Sequence, residues 1–567
     1  MSRPSSPSPR TTTLNFTFFA TAAAIAFAVF RAIRHRWVTD DAYISFRYAE
    51  NLVQGRGFVY NAGERVEGYS NLLWTLWCAL GLRLGVPAEI WAEASGILCY
   101  TATLVLLARF AWKRSGAGAR AVLPVAALVG AFHLDWAIFA TSGLETSLVT
   151  LLAFAGFYLL VTGERTPRRL AASGLLFALA AITRPDGILF AVPAGMFVAL
   201  RSSRRVSSMV AFAAPLVLVL VPCAAWKLAY YGDLKPNTFY AKSADRAWYE
   251  QGLVYVGLYF RKYWVLLIGP VLAVITARLP AAPEPETHRP RDAFWLAFAT
   301  AALYTLYVAH VGGDFMFARL LIPMTPFALV LLELGLERMA GFPGIHVPAA
   351  VACAIGMAVT PYPFQGQGWV RGIINEHEFY PASERAASRA YGTRLRELFD
   401  GLPMRVAFCG GQAVLAYYSR VPLAIETATG LTDSTIAHGP LEVRGRVGHE
   451  KRTPPLYLTG RRVHFWMYAS PLLSDTLATY IPLVRARLDT LTVMVMSWDP
   501  PVMAELRRRG VVIEDFEAAL DQLIALLPAM PDAEVAPLYA KVRRFYFDGV
   551  PDSTRERAFL ERLARSP

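Results

Sequence analysis

Two adjacent aspartates, Asp40 and Asp41, open the segment TDDAYISFRYAEN at 39–51. A carboxylate there can take the proton of an attacking hydroxyl, and its neighbour can hold an acceptor or a divalent cation. The pair stands at an expected helix start, where a single acid is enough to cap the helix and favour its positive end. At about 3.6 residues per turn, Asp40, Tyr43 and Arg47 share one helix face. The next stretch, GRGFVYNAGERVEGYSNLLW at 55–74, is rich in glycine, with Asn61 and Asn71 as turn formers. It ends a connection of about 35 residues without a span, long enough for a shaped functional loop. Arg65, Glu67 and Tyr69 are its candidates to line a sugar or phosphate pocket.

Further candidates are spread along the chain. Glu145, Arg184 and Asp186 sit at expected helix ends, where solvated caps are the commoner explanation, and Arg184 and Asp186 can simply pair with each other. His310 and Asp314 bracket the glycines of HVGGDF, and two ligands alone make a poor metal site. Arg319 follows at the start of an apolar run, and its planar guanidinium suits phosphate oxygens. Asn237 and Lys242 lie in YYGDLKPNTFYAK, and His449 lies in GRVGHEK, where it either touches a glycan or belongs to an ordinary surface loop. There is no zinc-ligand spacing, nucleophile elbow or nucleotide fingerprint. The metal question stays open, with a divalent cation the only cofactor candidate.

The elements that must position these residues are mostly apolar. Of 567 residues 55% are hydrophobic and 17% charged, with a mean hydropathy of +0.36. That balance excludes a soluble enzyme, a disordered chain and a fibrous protein. The net charge of +13 lies in blocks such as RSSRR at 201–205 beside apolar runs, which is a positive-inside pattern and no nucleic-acid footprint. Residues 1–13 read as a disordered cytoplasmic N-terminus, and 14–33 as an uncleaved first helix. Further apolar runs lie near 91–112, 121–140, 145–162, 170–183, 187–200, 206–228, 254–276, 292–310, 319–337 and 346–362. Basic loops alternate with them, and parity makes 71–85 a short interfacial or re-entrant helix within the loop region 37–90. The expectation is a polytopic α-helical membrane protein of about 11 transmembrane helices over 14–362, by that count. From 363 to 567 strand-like and helical patterns alternate (strands at 405–410, 421–427 and 463–468; helices at 376–400, 502–510 and 514–529), as in a soluble α/β domain. Nearly every carboxylate, histidine and tyrosine beside a span end falls on the non-cytoplasmic side, which marks it as the functional face.

The blocks DDAYISFRYAENLVQGRGFVYNAGERVEGYSNLLW, SGLET, RPDG, NTFYAK, GGDFMFARLLIP, GLTDSTIA and RVGHEK, in this order, resemble membrane glycosyltransferases of the GT-C fold. The nearest resemblance is to the mycobacterial-type terminal arabinofuranosyltransferase family, over residues 37 to 470. The resemblance implies transfer of a sugar from a polyprenyl-phosphate donor, outside the bacterial cytoplasmic membrane, to a cell-envelope glycan or lipid-linked acceptor. It puts the family's paired acids on Asp40 and Asp41 and the C-terminal domain in the periplasm. A polyprenyl-phosphate hexose (mannosyl-like) transferase is the alternative enzyme. An envelope transporter or assembly scaffold is the alternative outside enzymes. A transporter normally shows mid-span polar residues and internal repeats, and the sequence shows neither.

Overall fold

The computed structural model describes residues 9–114, 123–276, 290–338, 346–364, 368–409, 412–454, 456–467 and 477–565. The expectation for the N-terminus lies outside these residues up to residue 8, as do Arg120, Arg278 and Arg289 of the basic loops. In chain order the helices begin with α1 (Pro9–Arg34), α2 (Ala42–Val53), α3 (Leu72–Arg83), α4 (Ala88–Arg114), α5 (Val125–Ala131) and α6 (Leu134–Phe139). They continue with α7 (Thr146–Val161), α8 (Pro167–Thr183), α9 (Ile188–Arg201), α10 (Arg205–Tyr231), α11 (Asn237–Ala241) and α12 (Tyr249–Lys262). Next come α13 (Ile268–Thr276), α14 (Pro290–His310), α15 (Thr325–Arg338), α16 (His346–Val359) and α17 (Glu376–Phe379). The chain divides into two units. The first holds Met1–Val53, Tyr69–Pro236 and Ala244–Pro381; the second holds Gln54–Gly68, Asn237–Ser243 and Ala382–Pro567.

The first unit is helical. Among the described residues five helices are long and apolar enough to cross a membrane: Thr17–Arg34, Ala88–Lys113, Arg205–Tyr231, Arg291–His310 and Arg319–Arg338. Their surroundings differ. The span Arg319–Arg338 is 89% buried and so is central, whereas Arg205–Tyr231 is 6% buried and presents residues such as Val206 and Leu218 outward, as a lipid-facing helix does. Helices meet where glycine removes a side chain: a Cβ on Gly174 of α8 would lie 2.0 Å from the Phe212 carbonyl oxygen of α10. Such close approach is the usual means of association between membrane helices. The apolar run 121–140 forms the two short helices α5 and α6 within its described part, 123–140. The break comes at His133, whose Nδ1 accepts the Trp136 N–H (3.1 Å) and caps α6. The strands β1 (Trp369–Val370) and β2 (Ile373–Ile374) form a small antiparallel hairpin before α17.

The second unit is α/β. Its sheet comprises β3 (Arg405–Phe408), β4 (Leu423–Glu426), β5 (Phe465–Trp466), β6 (Val484–Leu488), β7 (Leu491–Val495) and β8 (Val512–Ile513), in the order β4-β3-β5-β7-β6-β8. β3 runs parallel to β4 and β5, and the remaining pairs are antiparallel. β6, VRARL, alternates buried and exposed residues, the mark of a strand with one covered face. The short segments 54–68 and 237–243 belong to this unit through side-chain contacts, among them a Glu64–Arg461 ion pair and the Tyr240 ring stacked on His438 at 4.0 Å. Asn61 donates to the Ala424 carbonyl (3.0 Å) and accepts the Ala424 N–H (2.9 Å), pairing with edge strand β4 as a neighbouring strand would. Asn237 donates to the carbonyls of Gly430 and Leu431, both at 2.9 Å.

Candidate active site

In the first unit two arginines gather four of the sequence-predicted site residues. Arg319, at the start of the central span, lies 3.6 Å from Asp41, 3.4 Å from Asp314 and 3.7 Å from Glu145. Arg184 lies 3.9 Å from Glu145 and holds Asp186 through a two-pronged pair, Nε to Oδ1 at 3.0 Å and Nη2 to Oδ2 at 2.7 Å. Tyr304 of α14 donates to the same Asp186 oxygen at 2.6 Å. The cap reading of Asp186 is thereby replaced by a buried ion pair with its own hydrogen-bond donor. Four carboxylates meet two guanidinium groups here, so the cluster carries an excess of negative charge. The side chains of Glu145, Asp186 and Asp314 are 3–6% exposed, whereas that of Asp41 is 34% exposed. Asp41 is therefore the carboxylate that an incoming molecule reaches.

Local backbone explains the assembly. Thr39 donates its N–H to the Ser142 carbonyl (3.0 Å), which ties the segment before Asp41 to the TSGLET turn that carries Glu145. Gly143 in that turn has φ +78°, and a Cβ on it would lie 2.8 Å from Ala42 Cβ and 3.0 Å from Val38 Cγ1. Trp74 of α3 donates its indole N–H to the Gly143 carbonyl at 2.8 Å. Asn71, read from sequence as a turn former, donates to Glu145 at 2.8 Å and accepts from Ser45 at 3.1 Å. Asp314 accepts the Phe315 N–H at 2.9 Å. Gly313 beside it has φ +74°, and a Cβ there would meet the Tyr255 ring at 2.4 Å.

One carboxyl of this neighbourhood escapes the sequence reading. Glu376, at the start of α17, is 4% exposed and accepts the Thr39 hydroxyl at 2.9 Å. Burial first, and the nearby Asp41 second, push its carboxyl up to about 8. The sequence reading assigns 376 to a helix of a separate C-terminal domain. The run Asn-Glu-His-Glu at 375–378 was the available signal.

The other predicted residues lie elsewhere. Asp40 is half-buried beside Asp41. Tyr43 and Arg47 are buried along α2, with Tyr43 directed to Glu89 at 3.5 Å. Tyr69 is buried and shares a hydrogen bond with Tyr231 at 3.2 Å. His310 is exposed and pairs with the Tyr249 hydroxyl at 3.0 Å, so it does not join Asp314. Arg65, Glu67, Asn237, Lys242 and His449 belong to the second unit. There Arg65 is exposed and Glu67 buried, the Glu67 carbonyl accepts the Asn237 N–H at 2.8 Å, and the Lys242 stem packs near Gly448. His449 Nδ1 reaches its own turn at the Val447 carbonyl, 3.3 Å. Among the described residues no group of three or more His, Cys, Asp and Glu side chains is arranged to hold a metal ion.

Comparison with known proteins gives the following. No family model matches the chain. It is 31% identical over 352 residues to a terminal beta-(1->2)-arabinofuranosyltransferase of Mycobacterium tuberculosis, covering 56% of this chain and 54% of that protein. It is 30% identical over 355 residues to the Corynebacterium glutamicum protein of the same description, covering 56% and 51%. The chain thus spans about half the length of the curated relatives it matches. Among solved structures it is similar to ArnT from Cupriavidus metallidurans bound to undecaprenyl phosphate, with a TM-score of 0.52 and 13% identity over 85% of this chain and 98% of that one. The likeness is one of fold. This chain is a multi-pass helical membrane protein with the GT-C architecture, and in sequence it resembles the terminal arabinofuranosyltransferases.

Proposed function

We propose that this chain is an integral-membrane glycosyltransferase. It moves a sugar, arabinofuranose by its resemblance, from a polyprenyl-phosphate donor to a hydroxyl of a cell-envelope glycan or lipid-linked acceptor. The observation that carries this reading is Asp41, the exposed member of an otherwise buried carboxylate–guanidinium cluster. In the proposed reaction the acceptor oxygen attacks the anomeric carbon, and its proton passes to Asp41. The bond from that carbon to the phosphate oxygen breaks, and polyprenyl phosphate leaves with the electron pair. Positive charge develops on the sugar ring as in other glycosyl transfers, and the negative excess of Glu145, Asp186 and Asp314 suits it. Asp40 stays the second candidate for the base.

The proposal includes a topology of about 11 transmembrane helices over 14–362, by the sequence count. It puts the 37–90 loop region and residues 363–567 on the periplasmic side of the bacterial cytoplasmic membrane. Arg319 is the proposed cation for the donor phosphate within the first unit. The test is release of polyprenyl phosphate by purified protein given polyprenyl-phosphate pentoses and hexoses with an acceptor. Asp41→Asn is expected to lower release by about 10²–10⁴-fold while the protein remains folded. Undiminished release by both Asp41→Asn and Asp40→Asn refutes the assignment.

A further inference from the structure

Glu376 is held in place from two directions. The Ile374 N–H donates to the Phe315 carbonyl at 2.8 Å, and the Phe317 N–H donates to the Ile374 carbonyl at 2.9 Å. This pins the residues just before Glu376 to the segment that carries Asp314. Thr39, two residues before Asp41, holds Oε1. The other oxygen, Oε2, is buried and has no hydrogen-bond partner, and neither has the side-chain amide nitrogen of the preceding residue, Asn375. A buried polar atom left in that state is destabilising, and a bound molecule that supplies the missing group relieves it.

The charges around Glu376 decide what that group is. Asp41 at the start of α2 and Asp314 from the neighbouring segment both act against ionisation, and Arg319 opposes them more weakly. On its own helix His377 turns to the rings of Trp37 and His35, at 5.6 and 5.7 Å, and Glu378 acts on Lys262. With its midpoint at about 8, Glu376 carries a proton at neutral pH. A protonated Oε2 is a donor in need of an acceptor, and a sugar hydroxyl oxygen is one.

We propose that Glu376 is a substrate-binding residue of this site, whose Oε2–H donates a hydrogen bond to a hydroxyl oxygen of the transferred sugar beside Asp41. The inference rests on the glycosyltransferase reading and adds to it a residue that discriminates a hydroxylated sugar from a deoxy analogue. Above the midpoint the donor is lost and two adjacent carboxylates repel each other, so binding of the sugar fails on the alkaline side.

The experiment uses full-length protein in lipid nanodiscs with polyprenyl-phosphate arabinofuranose as the probe. In the Asp41→Asn background, expected to bind without turning over, infrared spectra at mildly acidic pH, chosen because the variant lacks the Asp41 charge, are expected to show a protonated-carboxyl band. That band should shift when the probe is added and vanish in the D41N/E376Q double variant. In steady state, Glu376→Ala raises KM about tenfold, the loss of one hydrogen bond. Glu376→Gln, which keeps a neutral donor, is expected to recover most of that loss and to lack the alkaline fall expected of wild type. The inference is overturned by a band that is absent or unmoved by the probe, or by an E376Q variant that keeps the wild-type alkaline limb. Failure of the transfer reading looks different, because wild-type protein would then release no polyprenyl phosphate from any donor.

Discussion

Arg319 shows how one side chain organises the candidate site. Its guanidinium lies within 4 Å of Asp41, Asp314 and Glu145, a span that a planar fork covers and an ammonium does not. Arg319→Lys keeps the charge and loses the geometry. It is expected to remain folded while sugar transfer falls about 100-fold, as when one fixed donor is removed from a reacting centre. Arg319→Met leaves buried carboxylates without their counter-charge and should destabilise the first unit by about 3–5 kcal/mol. Thermal unfolding in detergent alongside polyprenyl-phosphate release separates the two outcomes; equal loss of stability in both variants contradicts the geometric role. Residue types were well legible at this scale: Asp41, Glu145, Arg184, Asp186, Asp314 and Arg319 were all nameable from the sequence. The Arg184–Asp186 pair was nameable too, but the wider pairing was not, because it joins residues 41 to 319 through contacts that no local period encodes. Glu376 was missed for the same reason, since only the backbone pairing of Ile374 with Phe315 and Phe317 brings it there.

At the level of elements, the site depends on turns that tolerate no side chain. Gly143 lets the TSGLET turn pass against the start of α2, with its carbonyl held by Trp74 and Ser142 accepting from Thr39. Gly143→Ala adds a methyl where Ala42 and Val38 already stand and puts a Cβ on a left-handed backbone. A cost of about 1–3 kcal/mol follows, with displacement of Glu145 and Asp41. Transfer should therefore fall further than the loss of folded protein explains, as measured by activity per folded molecule; a fall in yield alone contradicts this. The apolar runs announced most helices because a helix packed among others or facing lipid is apolar along its length. Breaks inside them were less legible: α5 and α6 divide at His133 through a single capping bond. In the second unit the strands β6, β7 and β8 went unread, although VRARL carries the period of two, because charged residues on its outer face mask the pattern.

For the molecule as a whole, a titration distinguishes the second unit. His464 beside β5 accepts the Arg405 N–H through Nδ1 at 3.1 Å, and its Nε2 lies 3.7 Å from Asp499. Burial dominates and lowers its midpoint from the ordinary 6.5 to about 4. A group depressed on folding contributes stability that is complete above its unfolded midpoint and is lost as the pH falls through the folded one. The stability of the second unit should therefore decline from pH 6.5 towards 4, read as falling hydrogen-exchange protection of β3 and β5. His464→Gln, which keeps an acceptor and cannot charge, should flatten that decline; an unchanged slope assigns it to other groups. The broad division into a membrane half and an α/β half was legible from composition. The allotment of 54–68 and 237–243 to the α/β unit was not, since it rests on contacts distant in sequence, among them Asn61 with Ala424, Glu64 with Arg461 and Asn237 with Gly430.

The amide of Asn61 has a consequence for solubility. An open sheet border invites a strand from another chain, and proteins avoid this by blocking it. Here the stopper on β4 is a single residue borrowed from more than 300 positions upstream. Severing the tail from the rest would strip that stopper away and leave a bare, sticky margin, ready to recruit its own copies.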